Sequence, residues 1–269
     1  MKRSTRAALL GKVAFFAIAS TASASCAAAV GTNFSDQWWS PGEPGWGVAI
    51  QQQSDMLFVQ ILVYGDEGSA VWYTATANRQ PASLPEHSVY AGDLYRTSGP
   101  VASGAFDPAA VSVRKVGTLN FDASMSDTAV LSYTVDGVVI SKPMTRLTWK
   151  LEDLTGDYHG GFVYDFSQTH APCVAGRFED LGPLTITQSG TTSLVMKVQG
   201  SSRTCTFTGD YRQRGHMGTT RGTFLCTQGG LTGTYTGLEI EKSAHGVTGR
   251  IVGQTVSCEF DGRFGGVLR

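Results

Sequence analysis

Apolar and polar positions along this chain alternate in short bursts and scarcely recur at helical spacing beyond the first thirty or so residues. The bursts predict strands over residues 46–53, 56–64, 70–77, 88–96, 111–116, 118–123, 128–135, 138–142 and 145–151. A second series is predicted over 160–166, 184–188, 192–198, 204–211, 221–227, 233–241, 247–253 and 257–264. Turn chemistry separates them: Gly65-Asp66-Glu67-Gly68 and Asp136-Gly137 supply positive-φ positions, and the latter is a strong two-residue hairpin signal. Leu147, Trp149 and Leu151 alternate with Thr148 and Lys150, as in a half-buried strand. Met56–Tyr64 is apolar on both faces, which predicts a barrel interior on one side and a partner domain or loop on the other.

The strand series implies an all-β chain. Short antiparallel meanders of about eight strands close most economically into small barrels, which removes exposed edges. Two tandem up-and-down, lipocalin-like barrels are therefore expected, with residues 30–151 forming the first and 152–269 the second; β-sandwiches are the rival architecture. The stretch from Leu184 echoes that from Val48, and Phe207-Thr208-Gly209-Asp210-Tyr211 echoes Tyr90-Ala91-Gly92-Asp93-Leu94-Tyr95. The gaps between the two blocks differ by about nineteen residues, so the repeat predicts one additional hairpin in one half.

Compartment enters through the first residues and the cysteines. Lys2, Arg3 and Arg6, an apolar centre and a small-residue tail read as an export signal over residues 1–29, with Ala27-Ala28-Ala29 or Ala22-Ser23-Ala24 at the cleavage site. Ser23 stands where a lipid-anchor signal at Cys26 needs an apolar residue. No segment has the unbroken apolar run of a membrane-spanning helix, and the short polar strands of the second half argue against an outer-membrane barrel. Cys173, Cys205, Cys226 and Cys258 allow three pairings. Cys205 and Cys226 are equidistant from a turn at residues 212–218, so Cys205–Cys226 with Cys173–Cys258 is the first choice. Their spacing does not match a metal site. A formal net charge of −1 and scattered Lys and Arg exclude a nucleic-acid or anionic-lipid partner.

The densest block is Trp38-Trp39-Ser40-Pro41-Gly42-Glu43-Pro44-Gly45-Trp46-Gly47. With Gln53, Asp55, Leu57, Phe58, Tyr64, Gly68, Trp72 and Tyr73, and with Tyr133, Gly137, Lys142, Thr145 and Arg146 later, it resembles a family of exported proteobacterial β-rich proteins sharing a WWxPxExGWG motif. The chain departs from that pattern at Pro44 and Ser54. The resemblance implies export and a β-rich fold and names no activity. Gly45-Trp46-Gly47, with its tryptophan early, and Arg146 late are also similar to the lipocalin arrangement of an arginine packed on a strand-A indole, a fold-level analogy.

No residue set names a reaction. His87, His159, His170, His216 and His245 fall in turn-rich positions without metal-ligand spacing, and no nucleophile elbow, phosphate loop or dinucleotide fingerprint is present, so no catalytic residue, metal or cofactor is assigned. Glu43 is either a carboxylate with a raised pKa between indoles or an acceptor that holds the turn. Trp38, Trp39, Trp46, Tyr64, Trp72 and Tyr73 form a candidate aromatic platform, and Trp38, Trp39, Glu43, Trp46, Tyr64, Trp72 and Arg146 the candidate ligand-binding set. The competing arrangement is a barrel plug, with Trp46 inside, Trp38 or Trp39 closing an end and Arg146 stacked over an indole. The expected function is a secreted or periplasmic non-catalytic module for a small apolar or glycan ligand. The alternatives are an assembly protein using the Met56–Tyr64 face, and a hydrolase with an unrecognised site.

Overall fold

The computed structural model describes residues 32–269 apart from 83, 85, 86, 102 and 229. The expected export signal and Cys26 lie outside the described residues.

Sixteen strands close into two antiparallel barrels of eight, with strictly sequential neighbours. The first barrel is β1 (Asp36–Trp39), β2 (Gly47–Gln53), β3 (Met56–Tyr64), β4 (Ala70–Gln80), β5 (Ser88–Ser98), β6 (Ser112–Ala123), β7 (Thr128–Val135) and β8 (Val138–Arg146). The second is β9 (Gly156–Gln168), β10 (Gly176–Ser189), β11 (Ser193–Gln199), β12 (Thr204–Arg214), β13 (Met217–Cys226), β14 (Thr232–Ser243), β15 (Gly246–Gln254) and β16 (Cys258–Leu268). Pairing of β1 with β8, and of β9 with β16, closes each ring.

Several local expectations change. Residues 111–116 and 118–123 are one strand, because Gly117 is a close-approach point: an added Cβ there would stand 2.0 Å from the Thr134 carbonyl oxygen. The expected strand over 145–151 fails. The barrel ends at Arg146, and Trp149 is 75 % exposed. Hydrogen bonds to Thr148 and Lys150 from residues 213–215 take over that segment instead. β1 was not anticipated inside the tryptophan-rich block. Leu57, Val59 and Ile61 are buried, but Met56, Phe58, Leu62 and Tyr64 are exposed, so nothing among the described residues covers the outer face of β3 as expected. The repeat also fails to add a hairpin. The Val48 and Leu184 blocks both fall on second strands, whereas the Tyr90 block lies on a fifth strand and the Phe207 block on a fourth.

Eight strands enclose just enough space for side chains or one small ligand. The second barrel is filled. Phe162 stacks on Phe207 at 4.6 Å and on Phe264 at 5.1 Å, and Phe207 on Phe224 at 5.3 Å. Inward-facing glycines make room for such rings: a Cβ on Gly249 would lie 2.5 Å from Phe264. Its far end is closed by buried Asp180, which accepts from Arg203 and the Tyr164 hydroxyl. Both disulfides lie at that end, and the pairing is the first choice: Cys205–Cys226 and Cys173–Cys258.

The barrels belong to one compact unit, Thr32–Arg269. The β12–β13 hairpin carries its tip, Gly215-His216, onto one end of the first barrel. Gln213 clasps the linker by donating to Lys150 O and accepting from Glu152 N. Arg214 donates to Thr145 Oγ1 at 2.7 Å, and Arg212 and Arg214 both pair with buried Asp127.

Candidate functional site

Strand directions place two different ends on the first barrel. The inner end, toward the second barrel, is sealed. Trp38 is 1 % exposed, donates its indole N–H to Phe34 O at 3.0 Å and meets Phe121 edge-on at 5.4 Å. The Arg146 guanidinium lies over the Trp38 ring at 4.8 Å. Arg146 also donates to Ser126 O, Ser35 O, Asn33 O and Asp36 Oδ2. Burial pulls its pKa below the ordinary value, and Asp36 opposes that pull. Trp38 and Arg146 are thus parts of a plug and leave the ligand-platform set. Arg146 does stack on an early indole, but the indole is Trp38 and not Trp46 of Gly45-Trp46-Gly47.

The outer end is built differently. β1 pairs with β8 only at Trp38↔Arg146 and Trp39↔Thr145, so the outer part of β8 lacks a strand beside it there. Residues 40–46 occupy that side as a strap. Glu43 accepts from Lys142 Nζ at 2.8 and 2.7 Å and from Trp46 Nε1 at 2.9 Å. The Lys142 bond, followed by the Trp46 bond, holds the Glu43 carboxyl below its usual range, opposite to the raised pKa weighed from sequence. Trp46 packs on the core, and Tyr64 leans on the strap at Gly45, whose φ is +104° and whose added Cβ would sit 2.9 Å from Tyr64 Oη.

Beside the strap opens a cavity of about 680 Å³, lined by Val63, Tyr64, Tyr73, Tyr133 and Ile140 and by the charged Asp66, Glu67, Arg96 and Asp136. Val63, Tyr73 and Ile140 also pack on the core. Burial, aided by neighbouring Tyr73 and Glu43, raises the Tyr133 phenol, which stays a hydrogen-bond donor at neutral pH. At the rim Arg114 grips Asp136 with two bonds, 2.5 and 2.9 Å. A hollow of similar size, about 700 Å³, on the second barrel's wall is flanked by Thr234, Thr236, Gln254 and Asp261.

Glu43, Trp46 and Tyr64 of the sequence-derived set therefore meet at this mouth. Trp72 stands on the outer wall, 56 % exposed, with its N–H on Thr97 Oγ1 at 3.0 Å. Trp39 points outward from β1, away from its buried neighbour. Tyr73 of the expected aromatic platform lines the cavity; Lys142 and Tyr133 were missed as site residues, and their signal was that each belongs to the recurring pattern around Tyr64 and Arg146. Among the described residues no group of three potential metal ligands occurs.

The five histidines were expected to be solvated turn residues, and His216 departs from this. Its ring bonds Asp36 at 2.7 Å and approaches Glu241 at 3.3 Å. The Asp36 bond, then the Glu241 bond, push its pKa to about 9. Burial alone would raise the Asp36 carboxyl, and hydrogen bonds from His216 and the Gln37 amide outweigh it. Because the folded-state value is raised, this pair stabilises fully below the unfolded value of 6.5 and its contribution disappears as pH rises through about 9. With the ring 41 % exposed, the contribution is about 1 kcal/mol after solvent screening. Urea unfolding of the native chain and His216→Gln should differ by that amount at pH 6 and converge by about pH 10; a difference independent of pH would contradict the pairing.

No protein-family model, curated protein or solved structure matches the chain. Among the described residues no helix is long and apolar enough to cross a membrane.

Proposed function

We propose that this chain is a non-catalytic binding module of an exported protein, holding a small ligand with an apolar face and hydrogen-bonding groups in the outer mouth of the first barrel. One observation carries the reading. Tyr73, Tyr133 and Ile140 meet a polar rim of Asp66, Glu67, Arg96 and Asp136 around a cavity of about 680 Å³ at that mouth, within the usual range for small-molecule sites. Small apolar compounds and glycan units both suit such a lining. Export fits the two disulfides, which persist in oxidising compartments.

Calorimetric titration with small neutral aromatic and saccharide probes, phenylacetamide and methyl β-glucoside among them, tests this. Saturable binding is expected in the native chain, weakened about tenfold or more in Ile140→Trp, whose larger indole takes up part of the cavity. No binding by any probe, or binding unchanged in Ile140→Trp, would overturn it.

A second reading, assembly through protein contacts, is favoured by the outer face of β2 and β3. These strands carry no charged residue, and Phe58, Leu62 and Tyr64 are exposed on them. Concentration-dependent association that Leu62→Lys removes would favour it.

A further inference from the structure

We infer that the ligand of the outer mouth carries a carboxylate, which exchanges with Glu43 on Lys142 and so couples binding to release of the strap. This rests on the mouth being a ligand site. Lys142 lies in the inward-facing series of β8 with Ile140, Met144 and Arg146, and is half-buried. An ammonium among apolar residues is costly unless an anion accompanies it. In this barrel that anion is delivered from outside the sheet, by a short segment of turns rather than by a neighbouring strand.

Two donors, Lys142 Nζ and Trp46 Nε1, converge on the one carboxylate of Glu43. Together they form a receptor for that group, occupied by the chain's own side chain. Within residues 40–46 the backbone closes a single turn, Glu43 N to Ser40 O at 2.9 Å. The Glu43–Lys142 pair therefore does much of the fastening. Lifting the strap with nothing in exchange would strand Lys142 without its anion. A ligand that supplies a carboxylate replaces the lost bonds, whereas a neutral one does not. Ile140, two residues outward from Lys142 on the same face of β8, lines the cavity beside Arg96, so the acid group of a ligand seated there must extend about 7 Å along β8 to meet Lys142.

The experiment compares phenylacetate with phenylacetamide, identical in shape except for the charged group, by calorimetry on the full chain. Glu43→Gln keeps the size of the side chain and weakens its hold on Lys142. It is expected to bind phenylacetate at least about tenfold more tightly than the native chain, with phenylacetamide unchanged. Lys142→Met should bind the two probes alike, and Lys142→Arg should keep the preference for the acid. If acid and amide gain equally in Glu43→Gln, or the preference survives in Lys142→Met, the carboxylate inference falls and the mouth remains a ligand site. If neither probe binds any variant while methyl β-glucoside does, the ligand is not a carboxylate. If none of the three binds, the mouth reading falls as well.

Discussion

Replacing Arg146 by alanine is expected to destabilise the folded chain by about 3–5 kcal/mol, the usual cost of removing one partner from a buried charged network. The guanidinium is 2 % exposed and supplies bonds of 2.7 Å to Ser126 O, 2.6 Å to Asn33 O and 3.2 Å to both Ser35 O and Asp36 Oδ2. Alanine leaves those carbonyls without their donor and opens a void over Trp38. Each stranded acceptor loses its bond without regaining water. Lysine keeps the charge but not the planar fork, so Arg146→Lys should recover only part of the loss. Urea unfolding at neutral pH measures both. A loss below about 1 kcal/mol for alanine, the size of an exposed ion pair, would mean that this end is not sealed as described.

Gly215 should be nearly as sensitive, for a different reason. It has φ of +61°, and a Cβ there would stand 2.0 Å from Asp36 Oδ2 and 2.8 Å from Arg146 Cβ. The matched control is Gly230, whose φ is +60° and whose Cβ would meet nothing within 4 Å. Gly230→Ala therefore isolates backbone strain, about 1–2 kcal/mol. Gly215→Ala must in addition lift the hairpin off the first barrel, breaking Gly215 N to Thr148 Oγ1 and the Asp36–His216 contacts. A loss of about 3 kcal/mol or more is expected. The native chain should unfold in one transition and Gly215→Ala in two, as the barrels uncouple. Equal effects at the two glycines would show that the hairpin tip is not pressed into the first barrel.

Local chemistry was readable from the sequence where a few neighbouring residues decide it. Asp136-Gly137 takes φ of 49° and 89° at the tip of the β7–β8 hairpin, as its composition requires. The Cys205↔Cys226 register followed from the symmetry of a hairpin whose tip is Gly215-His216. Alternation misled at residues 147–151, because its period cannot reveal that Gln213 bonds the Lys150 carbonyl and Gly215 the Thr148 hydroxyl in place of a strand. Composition marked residues 38–47 as built for a purpose, but not that the block divides between a sealed end at Trp38 and an open one at Trp46. The decisive partner of Glu43 is Lys142, 99 residues away. Barrel closure brings them together, and closure leaves no trace in local periodicity. Asp36 and His216, 180 residues apart, are brought together by the β12–β13 hairpin resting on the first barrel, which local periodicity does not show either.

We propose that the outer end of the first barrel is an open ligand site while the remaining interior is packed shut. Backbone amide spectra of the full chain, titrated with phenylacetate, phenylacetamide and methyl β-glucoside, address it most directly. Saturable shifts with at least one probe, confined to residues 40–46, 63–73 and 133–142, are the expected result. Shifts centred on the second barrel or on the Gly215 hairpin, or none with any probe, would contradict it.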